Sequence, residues 1–199
     1  MNSAYSQYRL YVKVSVVAVL LSMPLAFVLP VELSFENGLI ENAQVVVLLG
    51  SAVRLFTVRP EKPYMKWFQR FFAAGLILTA LRELSWGRVF FPVAMEELGP
   101  VFISMAEYKY RVPVYIFLTV YISAMIFMLI YLVPLRKIFQ YNQPFAIFAA
   151  IIIAAILSLI GDHGWLIGKE HGQILEELNE LIIYVNLPVS ALHYCGNAV

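Results

Sequence analysis

An all-α integral membrane bundle of about six transmembrane helices is the fold class this sequence predicts, and three observations predict it. First, the 199 residues are 61% hydrophobic and only 14% charged, with mean hydropathy +0.77; a soluble domain averages nearer half and a quarter. Second, six apolar runs approach the ~20 residues that a bilayer crossing needs, so residues 1–199 read as one transmembrane domain. Third, the charges sort by side. Fourteen Lys and Arg against thirteen Asp and Glu give a net +1, which argues against nucleic acid as a partner, where a strong basic excess is expected. The single cysteine, Cys195, excludes an internal disulfide framework.

The first span, near residues 10–30, follows Arg9 and Lys13. It is longer than a signal-peptide core and no small-x-small cleavage site follows it. The others lie near 35–58, 71–91, 112–133, 145–165 and 174–195. Pro60 and Pro63 separate the second from the third, and Pro134 and Pro144 bracket the loop between the fourth and fifth. The one long connection, Pro92 to Arg111, mixes Val93, Met95, Leu98, Val101 and Phe102 with Glu96 and Glu97, a composition that predicts a short interfacial helix. Trp67 falls near the inner boundary and Trp86 and Trp165 near the outer one, as aromatic belts do. No repeat relates the two halves, which weighs against an inverted-repeat transporter.

Lys and Arg near span ends are retained on the cytoplasmic side. With both termini cytoplasmic, nine of the fourteen lie inside, from Arg9 and Lys13 through Arg54, Arg59, Lys62, Lys66 and Arg70 to Arg136 and Lys137. Of the acids only Glu61 is inside. Acids contribute little to orientation, so twelve on the outer side need another explanation. The expected location is a bacterial plasma (inner) membrane.

Depth supplies that explanation. Counting a ~20-residue crossing from Phe71 places Glu83 roughly 10 Å below the outer edge, with Arg82 and Ser85 beside it. The same count back from Val53 embeds Glu36, Glu41 and Gln44. The sixth span carries Glu176, Glu177 and Glu180 on one broad face, and the fifth ends in Gly161-Asp162-His163-Gly164. Each embedded ion costs ~2.5 to 3.5 kcal/mol on insertion scales, so such groups face the bundle interior or water and mark a functional site. A plainer reading stands beside this one. Glu36, Glu176 and Glu177 open their helices and would be stabilised by the helix dipole, whereas Glu41 and Glu180 lie deeper; Glu83, near a helix C-terminus, would form a structural salt bridge.

Among the histidines, His193 lies near the inner end, about 30 Å from the outer layer, which excludes a three-histidine zinc site in one chain. His163, His171, Asp162 and Glu177 are the candidate metal ligands, with a divalent ion such as zinc as the cofactor this donor set would take. Glu83, also a possible ligand, joins Glu41 and Glu180 as a candidate catalytic carboxylate, and Glu36, Arg82, Ser85, Trp86 and Arg88 are candidate binding residues. A metal-activated water with a glutamate base would hydrolyse, or transfer a group from, a lipid-linked or amphiphilic substrate. The alternative is a non-enzymatic subunit of a membrane complex, or a proton or cation pathway; the apolar inner halves weigh against a channel. Membrane lipids and a membrane-protein partner are the expected partners. Ser85 lacks a G-x-S-x-G context, no phosphate-cradling glycine loop is present, and Gly38, Gly87 and Gly161 read as helix-end or close-packing positions.

The segments Glu36-Asn37-Gly38-Leu39-Ile40-Glu41 and Arg82-Glu83-Leu84-Ser85-Trp86-Gly87-Arg88 resemble an uncharacterised family of bacterial multi-pass membrane proteins, which carries E-D-G-x-x-E and E-E-I-S-W-G-Q-R at corresponding places. Glu176, Glu177 and Glu180 resemble its acidic C-terminal span. This chain has Arg82 where that family has its first glutamate, and lacks its Q-x-E-T-N-L-H-N segment. The resemblance supports the choice of residues and implies no reaction. A looser likeness is to membrane hydrolases of the alkaline ceramidase and adiponectin-receptor group, which implies metal-dependent hydrolysis; their H-x-x-x-H element is absent here.

Overall fold

The computed structural model describes residues 2–96, 99–140 and 145–195, with side chains from Tyr8 onward except that of Phe139. Glu97, Leu98 and Pro144, used in the sequence reading, lie outside the described residues. In chain order the helices are α1 (Asn2–Ala26), α2 (Leu39–Thr57), α3 (Lys66–Glu83), α4 (Arg111–Tyr131), the five-residue α5 (Leu135–Phe139), α6 (Phe145–His163) and α7 (Gly168–Tyr194). Short 3-10 turns at Val31–Ser34, Pro63–Met65 and Ser85–Phe90 link them. Four segments are long and apolar enough to cross a membrane: Tyr8–Ala26, Val31–Thr57, Arg111–Tyr131 and Phe145–His163. The other two long helices are more polar, α3 carrying Lys66, Arg70, Arg82 and Glu83, and α7 carrying two basic or acidic residues at its start and three glutamates beyond.

Helix α7 is the axis of the bundle, packed against α6, α2 and α1, while α2 and α3 form the other large pair. The main apolar core lies between α2, α3 and the C-terminal half of α7, with Leu48, Ala52, Leu55, Met65, Leu76 and Ala191 almost fully enclosed. Against α6 the approach of α7 is backbone to backbone. A Cβ on Gly161 would sit 2.8 Å from the Glu176 amide nitrogen, and one on Gly172 would strike the Gly161 carbonyl oxygen. Such small-residue contacts are how helices pack when lipid supplies no hydrophobic drive between them.

The seam between α1 and α7 is polar and periodic. Tyr8 stacks on His193 at 5.1 Å between ring centres. Seven residues on, Ser15 donates to Asn186 Oδ1 at 2.6 Å. After another seven, Asn179 Nδ2 donates to Ser22 Oγ at 3.2 Å. The antiparallel register therefore repeats every seven residues, the period of a left-handed helix pair. Ser15, Ser22, Asn179 and Asn186 are all buried.

Three sequence expectations change here. Pro92 to Arg111 is not an interfacial helix: Pro92–Glu96 (β1) pairs antiparallel with Gly99–Phe102 (β2), and Phe91 O accepts from Ile103 N. Pro92 and Pro100 oppose a helix, and Gly99, at φ 123°, takes a backbone conformation that side chains avoid. Next, the third helix does not run to Phe91. It ends at Glu83, because Ser85, Trp86 and Gly87 are successively left-handed, at φ 45°, 58° and 89°, and turn the chain away. Finally, α2 begins at Leu39 and α7 at Gly168, later and earlier than predicted, which reassigns the glutamates.

Candidate functional site

The shifted helix starts invert the plainer reading of the acids. Glu41 falls in the first turn of α2, where the helix dipole favours a carboxylate, and accepts a hydrogen bond from the Asn37 amide just before the helix. Glu36, which precedes the helix, accepts from Ser85 Oγ at 2.6 Å. Glu176 and Glu177 lie more than two turns inside α7, where the dipole of its first turn has faded. Their position needs a partner or a ligand rather than a helix end.

The acids gather where α2, α3 and α7 meet. Glu83, 7% exposed, accepts from Tyr184 Oη at 2.8 Å and from Arg82 Nη1 at 3.1 Å. Arg82 also reaches Tyr184 Oη at 3.3 Å and Glu180 Oε1 at 3.9 Å. This fulfils the salt-bridge reading of Glu83, with the hydroxyl of Tyr184 as an unforeseen third member. On the other flank Gln44, fully buried, donates through Nε2 to the Glu177 carboxylate at 2.7 Å and to its backbone carbonyl at 2.9 Å. Its own Oε1 is buried with no hydrogen-bond partner. Glu41 interacts electrostatically with Glu36, Glu83 and Glu180, Glu177 with Glu41, Glu176 and Glu180, and Glu176 with Asp162. Like charges at such range in low dielectric oppose one another, and Arg82 is the basic side chain that ion-pairs with them.

Of the metal candidates only His163 and Asp162 are seen in contact. His163 is exposed, its Nδ1 3.0 Å from the Leu159 carbonyl and 3.5 Å from the Asp162 carboxylate, with its ring against Trp165. His171 Nδ1 donates to the Ala26 carbonyl at 3.0 Å, and its ring packs on Phe27. That bond ties α7 to the end of α1 and turns one ring nitrogen away from the acids. Among the described residues no three His, Cys, Asp or Glu are grouped to hold a metal ion.

The remaining binding candidates divide. Ser85 touches Glu36 and so belongs to the cluster. Arg88 donates to the backbone carbonyls of Ser85 and Ile103, at 3.2 Å each, and pins the left-handed turn to the end of the hairpin. Trp86 contributes the turn itself through its positive φ. Sequence reasoning left out Tyr184, and placed Gln44 in the embedded layer without giving it a role. Both carried a signal: Tyr184 lies four residues after Glu180, and Gln44 three after Glu41, spacings that share a helix face. No protein-family model, curated protein or solved structure matches this chain.

Proposed function

We propose that this chain is a six-span integral protein of a bacterial plasma membrane, with both termini cytoplasmic, that binds a cation in an acidic centre within the outer half of the bundle. Charge balance supports this. Glu83 and Glu180 ion-pair with Arg82, whereas Glu41 and Glu177 interact with neighbouring acids and have no ion pair among the described residues, and carboxylates withdrawn from water need compensation. The observation that carries the reading is Gln44. Its amide nitrogen is committed to Glu177, while its carbonyl oxygen is buried with no donor among the described residues; a bound metal cation would coordinate that oxygen, and a proton-carrying cation would donate to it. The inner apolar core formed by Leu48, Leu55, Met65 and Leu76 closes the path below, so the centre is a terminus for the cation and not a channel. Melting of the purified protein, measured across pH and with alkali, alkaline-earth and alkylammonium chlorides at constant ionic strength, tests this. The wild type should shift and Glu177→Gln should not; superimposable wild-type curves would overturn it.

A second reading, acid–base hydrolysis or group transfer on a lipid-linked or amphiphilic substrate, is favoured by one contact. Glu83 is held between Tyr184 and Arg82, which places a base, a hydroxyl donor and a fixed positive charge together. Release of a labelled headgroup from vesicles, abolished by Glu83→Gln, would support it. Absence of turnover would leave the cation centre as the function. Its metal-dependent form lacks a grouped ligand set among the described residues.

A further inference from the structure

The opposite end of the bundle carries a second charged feature. A cavity of about 480 Å³ opens between the last turn of α2 and the first turn of α3. Three cations line it, Arg59, Lys66 and Arg70, and no carboxylate does. Leu55, Phe56 and Val58 form its apolar wall. Its frame is rigid. Pro60 and Pro63 restrict the loop, Gln69 Nε2 donates to the Val58 carbonyl at 2.8 Å, and the Glu61 amide donates to the Cys195 carbonyl at 3.1 Å, tying the loop to the end of α7.

The cations are not consumed by the fold. Among the described residues no ion pair engages Arg59, Lys66 or Arg70. Arg70 lies 5.1 Å over the Trp67 ring, which holds its guanidinium without neutralising it. Lys66 and Gln69 also belong to the first turn of α3, with Arg70 directly after it, and the amino end of that helix has no side-chain cap. The positive end of an 18-residue helix therefore adds to the same field. Three positive charges round one cavity repel until an anion enters, and a phosphate offers oxygens to several donors at once.

We propose that this cleft binds the phosphate group of an anionic phospholipid in the leaflet opposite the acidic centre. The apolar wall decides between lipid and free phosphate. Phe56 is 53% exposed beside the cations, so an acyl chain can lie on the outside of α2 while the headgroup enters. Basic pockets between helices on the cytoplasmic side bind anionic headgroups in this manner. The site shares no residue with the acidic centre, and it holds or fails independently of what that centre does.

The test uses the full chain in nanodiscs, with native mass spectrometry and thermal unfolding as readouts. Phosphatidylglycerol should stay bound and raise the melting temperature relative to phosphatidylcholine alone. Arg59→Gln/Lys66→Gln/Arg70→Gln should weaken that retention by at least about tenfold. Arg136→Gln/Lys137→Gln, which removes two charges from the same side but outside the cavity, should retain it. Should the triple variant fail to fold, Arg59→Gln alone, at an exposed position, carries the comparison. Equal loss in both multiple variants, or no preference over phosphatidylcholine, would overturn the site. Inorganic phosphate stabilising the detergent-solubilised protein as fully as phosphatidylglycerol would overturn the lipid as its source.

Discussion

Helices α4 and α7 make opposite use of their side chains. Helix α4 is almost wholly apolar, meets the composition of a spanning segment, and buries none of its residues. Helix α7 carries charges through its first half and Asn179 and Asn186 further on, and buries twelve residues. In water the apolar helix would be the core and the polar one the surface. In a bilayer lipid receives apolar side chains, and the interior is where polar groups find partners. Hydropathy thus identifies what faces lipid, while the polar exceptions identify the packed axis.

The comparison breaks most visibly at small residues. Gly172→Leu puts a side chain against the Gly161 backbone and should cost about 3 kcal/mol or more. Ala124→Leu on α4, an exposed position, should stay within about 0.5 kcal/mol. Unfolding in mixed micelles measures both, and comparable costs would mean that α4 packs as tightly as α7. A smaller effect separates the tyrosines. Tyr184→Phe removes the donor to a buried carboxylate and should cost about 1.5 to 3 kcal/mol. Tyr121→Phe loses a bond to the neutral Ala74 carbonyl at 2.9 Å, worth about 1 kcal/mol. The reverse ranking would show that the acidic centre is wet. The finest test is the α1–α7 seam, where a Ser15→Ala/Asn186→Ala double-mutant cycle should give a coupling of about 0.6 kcal/mol.

Much of this was legible in the residues. The six apolar runs correspond to the six long helices among the described residues, and Glu83 and Glu180, from two of them, share Arg82. What escaped is set by backbone geometry that composition does not encode. Ser85 and Trp86 are unusual residues for left-handed positions, so a run of such conformations through Gly87 has little sequence signature, and the helix was extended to Phe91. The hairpin strands are five and four residues long, too short for an alternation of side chains to outweigh their mixture of acids and apolar groups. The partners Glu36 with Ser85 and Gln44 with Glu177 depend on how each helix is rotated about its axis. Their spacing along the chain leaves that rotation open.

The Ser15–Asn186 and Ser22–Asn179 contacts also order events during synthesis. Synthesis delivers α1 before α7, with the hydroxyls of α1 turned toward a partner not yet made. The hydroxyls bond meanwhile to their own backbone, Ser15 to Tyr11 and Ser22 to Val19. Docking of α7 therefore completes the polar face of α1.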